Sequence, residues 1–266
     1  MEVEVSYENL QLERDGHVAI VRMNRPERLN ALNPGLVRDL NDVFDELDAA
    51  FPDVRAIILT GNGRGFCSGA DLERAIAAAN GAPARPAYDP RAIIQLLAPR
   101  VRRQSQPVIA AVNGIAAGAG FSLSLAADIR IASDQARFAS IFVKRGIAVD
   151  TGSSVSLPDL VGLGVAAEMS YTGRLVDAQW ALEKRLVNAV VPHEQLMDAA
   201  LDLAREIAAN PPLTVRASKA LLVRRSRLEE AIPHEDDAQT ALASTEDRIE
   251  AMRAFAEKRA PLFHGR

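Results

Sequence analysis

Pro107–Ile131 reads PVIAAVNGIAAGAGFSLSLAADIRI. Val108 to Val112 is a short apolar run, the mark of a strand buried on both faces. Asn113-Gly114 and the Ala/Gly run to Gly120 are small, so backbone and ligand can approach closely there. Phe121 to Ala127 suits a helix, and Asp128 to Ile131 begins another apolar strand. A helix that starts near Gly118 leaves its first amides unpaired, and those amides attract developing negative charge. The stretch therefore offers an anion-stabilising backbone site with no bulky side chain in the way. It equally suits a tight helix-to-strand packing contact.

Working outward, Gly61 to Leu72 reads GNGRGFCSGADL and follows a predicted strand, Val54 to Thr60. This is a second small-residue turn that opens a helix. Two such turns can hold one oxygen between two backbone amides. That arrangement is an oxyanion hole, in which each donor contributes about 3 kcal/mol in the transition state.

F-C-S-G-A-D-L at Phe66 to Leu72, followed about forty residues on by P-V-I-A-A-V-N-G-x-A-x-G-A-G, resembles the crotonase superfamily of enoyl-CoA hydratases and isomerases. N-R-P-E-R-L-N-A-L at Asn24 to Leu32 and A-F-A-E-K-R-A-P-L-F at Ala254 to Phe263 extend the resemblance over nearly the whole chain. It implies an α/β fold, a spiral of ββα units over residues 1–195 carrying the CoA-thioester site. A helical C-terminal region over 196–266 would serve assembly and CoA contact. It also implies a homotrimer or a dimer of trimers. The substrate would be an acyl-CoA or enoyl-CoA, with no cofactor beyond the CoA of the substrate and no metal. The oxyanion donors carry over to the amides of Ala70 and Ala119, with Ser68, Gly69, Ala70, Asp71, Leu72 and Gly118 among the CoA-binding residues. Arg28 stands where relatives place a basic residue near the CoA phosphates, although a solvated loop arginine reads the same way. Phe255 and Lys258 match positions that in relatives contact the CoA adenine or 3′-phosphate from an adjacent subunit. Glu73 stands where some hydratases carry a lysine.

The acid-base groups depart from the family pattern. A hydratase of this family uses two glutamates, and here those positions align with Ser122 and Phe142. A serine hydroxyl is a weak acid and base near neutrality, and phenylalanine has no titratable proton. Each general acid-base group contributes typically 10²- to 10⁴-fold, so water addition by that route is disfavoured. Asp150, in G-I-A-V-D-T-G-S-S, resembles the aspartate of G-L-x-P-D-x-G-G in isomerase-type members, with Val149 and Ser153 departing from that motif. One carboxylate can move a proton between carbons of an enolate, given a raised pKa in an apolar pocket. An aspartate before a Gly/Ser turn is also often a helix cap. The leading expectation is double-bond isomerisation with Asp150 as acid-base group. Two others stand beside it: a hydratase with an atypical acid-base set, and a non-catalytic acyl-CoA binding protein.

The composition fits one large domain. With 266 residues, 25% charged and 48% hydrophobic, the chain can bury a full core. A net charge of -4 leaves no basic footprint for nucleic acid. One cysteine excludes an internal disulfide and suits a reducing cytosol. The acidic MEVEVSYENL shows no signal-peptide pattern, and no apolar run approaches the roughly 20 residues of a membrane span. A cytoplasmic protein is expected.

Tyr7 to Leu12 and His17 to Met23 read as strands joined by a turn at Asp15-Gly16. A helix follows Asn33-Pro34, with Asn33 as its cap and Leu36, Val37, Leu40, Val43, Phe44 and Leu47 at helical spacing. Asn80 to Pro90 reads as a loop, either shaping the acyl end or lying idle on the surface. Arg91 to Gln104 reads as helical with a break at Pro99. From His193 onward the pattern is helical. Cys67 has no histidine near it in sequence and reads as a packed side chain. His17, His193, His234 and His264 lack metal-ligand spacing. Lys144-Arg145 reads as surface, and Asp128 as structural.

Overall fold

The computed structural model describes residues 3–73, 76, 89–222, 232–233, 236–237, 239–240 and 243–261. The chain opens with β1 (Val3–Ser6), β2 (Leu10–Asp15) and β3 (Val18–Met23), joined as antiparallel neighbours. The first strand expected at Tyr7–Leu12 is thus split, because the chain turns back across residues 7–9 before β2 begins.

After β3 the chain alternates between two sheets. The strand pairs are β4 (Ala56–Gly61) with β5 (Gly65–Cys67), β6 (Val108–Val112) with β7 (Ile115–Ala117), and β8 (Ile129–Ser133) with β9 (Arg137–Ala139). The first strand of each pair joins the large sheet and the second joins the small one. With β10 (Val176–Asp177) and β11 (Ala189–Val191), the orders are β1-β2-β3-β4-β6-β8-β11 and β10-β9-β7-β5. Successive turns pair in parallel within each sheet, which makes a spiral of ββ corners. Side-chain amides pin the corners. Asn113 Nδ2 donates to Gly63 O at 2.8 Å, and Asn30 Nδ2 donates to Gly65 O at 2.8 Å.

The large sheet is covered on both faces, so its parallel strands are mostly apolar, with the buried Thr60, Arg130 and Ser133 as exceptions. Ile57 and Leu59 point into the main core, while Ile58 packs with Ile109 and Ile131 on the opposite face. The helix Leu196–Ala208 closes that opposite face through Leu196, Ala200, Ala204 and Ala208. On the main-core side, the helix Pro34–Ala49 buries the whole expected stripe from Leu36 to Leu47. Truncating one of those leucines to alanine costs about 2–5 kcal/mol. Asn33 caps it as expected, accepting from Leu36 N at 2.8 Å. Asp128 is indeed structural, for its carboxylate accepts from Val108 N at 2.8 Å and pairs with Lys219 at 2.8 Å.

Two other expectations change. Pro99 does not break a helix but lies buried inside the first turn of Leu97–Arg102, where no intrahelical N–H is required of it. Residues ahead of it form short 3-10 turns, Pro90–Ala92 and Ile94–Leu96. Of the Asn80–Pro90 loop, only Asp89 and Pro90 fall among the described residues.

Candidate active site

The two small-residue turns touch. Beyond β5 the chain forms a one-residue parallel bridge between Ala70 and Leu32. Leu32 N donates to Gly69 O at 2.8 Å and Asp71 N donates to Leu32 O at 3.0 Å. The bridge therefore uses the groups on either side of Ala70 and leaves Ala70's own N–H pointing away. Gly69 holds φ 99°, and a Cβ there would lie 2.8 Å from Ala117 O and 3.5 Å from Ala119 N. Only glycine brings the first turn that close to the second.

The second turn is set by Gly118. Its φ of 53° and ψ of -127° belong to glycine alone, and they turn the following peptide so that Ala119 begins the helix Ala119–Ala126. Gly118 N is used by Ala139 O at 3.1 Å, whereas no hydrogen bond among the described residues occupies the Ala70 or Ala119 amide. Both residues line one cavity of about 450 Å³. Ser68, Gly69, Asp71, Leu72, Gly118, Arg28, Phe142, Asp150 and Phe255 line it too. Lys258 does not. It is the left-handed cap ending the helix Glu246–Glu257, with its side chain exposed. Phe255 reaches the cavity of its own chain.

Ser122 is buried beneath the site rather than in it. Its hydroxyl donates to the Asp150 carbonyl oxygen at 2.9 Å. Phe142 is buried against the cavity, 3.9 Å from where a Gly118 Cβ would stand. Neither Ser122 nor Phe142 places a titratable group in the cavity.

Asp150 does. It stands two residues before Gly152, the cap of the helix Ser153–Thr172, and its main-chain carbonyl accepts from Ser153 N at 3.2 Å and Ser153 Oγ at 2.8 Å. Its carboxylate accepts from Thr151 N and from Gln95 Nε2, the latter at 3.3 Å. Burial pushes its pKa above the ordinary carboxyl value, the Thr151 and Gln95 donors pull it back, and the nearby Asp236 charge adds a further push. Asp71, the other carboxylate on the wall, is tied to Arg25 at 3.2 Å. Arg28 lies at an exposed edge with Glu73 at 2.7 Å.

Two polar residues of the cavity wall carry no signal in the sequence. Gln95 sits in a segment read as plain helix, and no local pattern links it to Asp150, 55 positions away. Arg145, read as surface, lines the cavity and lies with its guanidinium carbon 3.9 Å from the Phe255 ring centre. The charged KR pair hid the fact that the 3-10 turn Ile141–Arg145 aims one of its two cations inward. Cys67, as expected, is a packed side chain, fully buried with its thiol pushed up to about 12 by desolvation. Among the described residues, no group of three or more His, Cys, Asp or Glu could hold a metal ion. No helix among them is long and apolar enough to cross a membrane.

A double-sheet spiral with unoccupied amides at two adjoining turns, opening on a largely apolar cavity, is the architecture of the crotonase-fold proteins. The enoyl-CoA hydratase/isomerase profile matches residues 13–266, and the chain is an enzyme of that family. It is 36% identical over 257 residues to an (E)-benzylidenesuccinyl-CoA hydratase of Thauera aromatica, covering 96% of this chain and 98% of that one. It is 38% identical over 258 residues to a short-chain-enoyl-CoA hydratase of Clostridium acetobutylicum, covering 94% and 95%. The crystal structure of an enoyl-CoA hydratase/isomerase from Pseudoalteromonas atlantica T6c superposes with a TM-score of 0.88 at 31% identity, covering 97% of this chain and all of that one.

Proposed function

We propose that this protein isomerises an enoyl-CoA or related acyl-CoA by moving one proton within a thioester enolate, with Asp150 as the acid-base group. The observation that carries the reading is the content of the cavity. Asp150 is the carboxylate there whose proton affinity burial raises, while Ser122 and Phe142 stand where a hydratase of this family has its glutamates. The amides of Ala70 and Ala119 take the thioester oxygen and hold the negative charge that grows on it as the α-proton or γ-proton leaves. Asp150 accepts that proton as a carboxylate and returns it to another carbon of the same enolate. No second group is required, because the acid that delivers the proton is the base that took it. No cofactor takes part beyond the CoA of the substrate. Arg28, at the exposed edge, holds a CoA phosphate.

A second reading, water addition with an atypical acid-base set, is favoured by the names of the relatives, which are hydratases. Enoyl-CoA substrates, including a β,γ-enoyl-CoA, incubated in heavy water and followed by mass spectrometry separate the two. The isomerase gives carbon-bound deuterium without net water addition, and Asp150→Asn abolishes it while acyl-CoA binding persists. Prompt 3-hydroxyacyl-CoA formation would sink the isomerase reading. Ligand binding with neither product would make the protein a non-catalytic acyl-CoA binder. A homotrimeric or hexameric cytoplasmic enzyme goes with this reading. Support comes from large apolar side chains left exposed on the single chain, Leu163, Tyr171 and Leu175. Light scattering on the purified protein tests the assembly.

A further inference from the structure

Arg145 is a cation on the cavity wall with no acid to answer it among the described residues. Two other arginines at the site are matched, Arg28 with Glu73 at 2.7 Å and Arg25 with Asp71 at 3.2 Å, while Arg248, on the helix packed beside Arg145, donates to the Arg145 carbonyl at 2.7 Å. Arg145 makes one long hydrogen bond, from Nη1 to the neighbouring Lys144 O at 3.3 Å. No carboxylate among the described residues pairs with it. Glu250, on the helix packed beside it, is taken by Arg259 at 2.5 Å. Asp150 is held by Thr151 and Gln95. Burial lowers the pKa of Arg145.

The stacking partner gives this cation a direction. Phe255 covers one flat face of the guanidinium at 3.9 Å. A stacked guanidinium keeps its N–H donors in the plane, at the edge, where they match the two oxygens of a carboxylate. Ile94, Ile141 and Ile147 line the same cavity. Apolar neighbours of that kind displace water and strengthen a charge-assisted hydrogen bond. A half-buried cation with spare donors is an incomplete pair, and its complement belongs to what enters the cavity.

We propose that the acyl group accepted here carries a second carboxylate, away from the thioester, and that Arg145 stacked on Phe255 reads it. The inference rests on the acyl-CoA reading above and names the substrate class within it. Arg28 and Arg145 then serve two different anions, one on CoA and one on the acyl chain.

The test is equilibrium binding of unreactive saturated thioesters to the whole protein, by calorimetry. Glutaryl-, adipyl- and suberyl-CoA are each compared with the uncharged acyl-CoA of matching length. The wild-type protein is expected to favour the carboxylated member of at least one pair by about tenfold or more, the range of a hydrogen-bonded charge pair. Arg145→Leu should erase that preference while the uncharged thioesters bind as before, and Arg145→Lys should keep part of it. Equal wild-type affinities at every length overturn the proposal, with or without a folded variant. A loss in Arg145→Leu that is the same for both members of each pair also overturns it, by assigning Arg145 to a CoA phosphate. These ratios need no turnover. Failure of the isomerase reading in heavy water would therefore leave them standing, and their failure would leave that reading standing.

Discussion

At Gly69–Ala70 and Gly118–Ala119 the cavity presents main chain, whereas from Phe142 to Asp150 it presents side chains. The first region depends on what is missing from the sequence. A Cβ at Gly69 would lie 2.8 Å from Ala117 O, and Gly118 holds a backbone conformation closed to other residues. Ala70 and Ala119 need supply only an amide each. The second region depends on what is present: Phe142, Arg145 and Asp150 each bring a different chemistry to the wall. The contrast separates a part of the site that fixes which intermediate is stabilised from a part that fixes what becomes of it. A family can keep the first and rewrite the second, and on the reading proposed above the second is what differs here.

Gly118→Ala breaks the main-chain region most directly. A methyl group has room, since its nearest neighbours are Ile141 Cγ2 at 3.6 Å and Phe142 Cε1 at 3.9 Å. The penalty is therefore in the backbone, whose relaxation swings the Ala119 amide away from the substrate oxygen. Turnover should fall by about 10²- to 10³-fold, the usual effect of losing one oxyanion donor. Steady-state kinetics beside a melting curve check this, and an unchanged rate would remove Ala119 from the oxyanion site.

Gln95→Leu probes the side-chain region with a smaller effect. The amide donates to the ionised Asp150 carboxylate, and so lowers its pKa against the upward push of burial. Without that donor the pKa rises further. A reaction that begins with carboxylate as base then loses rate on its acid side at a higher pH than the wild-type protein. The pH profile of kcat/KM is the readout. A limb that stays in place would separate Gln95, or Asp150 itself, from the titrating group.

The main-chain region was almost fully legible in the sequence. Each small-residue turn alone equally suits tight packing, but two of them together with the family resemblance point to one site, and both turns stand where those residues placed them. The strands and the capped helix after Asn33 were readable through period and cap chemistry. Edges were less so. Pro99 looks like a break in any window, yet the first turn of a helix tolerates it. The side-chain region was half legible. Asp150 could be singled out by its motif, but its partner Gln95 lies in another segment, and hydrogen bonds across 55 positions leave no periodic trace. Arg145 reads as surface in the sequence because charge pairs on short turns are usually solvated. Only the packing of Phe255 onto the turn shows which of the two cations is inside.

Asp150 also links the chemistry to stability. Its carboxyl is raised mainly by burial, so the folded protein binds its proton more tightly than the unfolded chain does. Between the unfolded and folded pKa values the native state holds more proton, and stability falls as pH rises through that window. Near neutrality the ionised group is thus a net burden on the fold. Asp150→Asn should melt higher than the wild-type protein there, with the gain shrinking as the pH is lowered through the folded pKa. A variant that melts lower at neutral pH would mean that the Thr151 and Gln95 hydrogen bonds outweigh desolvation.

The smallest effect belongs to the seam between the two regions. Ser122 rides on the helix that Gly118 opens, and its hydroxyl donates to the main-chain carbonyl of Asp150 at 2.9 Å. Ser122→Ala removes that bond but leaves the carbonyl its two bonds from Ser153. One neutral hydrogen bond is worth about 1 kcal/mol, which for a chain of this size lowers the melting temperature by roughly 2–4 °C. Turnover should change by no more than about threefold, since general acid-base groups contribute 10²-fold or more and this hydroxyl is not one of them. If turnover instead collapsed as far as in Asp150→Asn while melting stayed put, Ser122 would be passing the proton. The side-chain region would then begin one helix turn earlier than the cavity wall indicates.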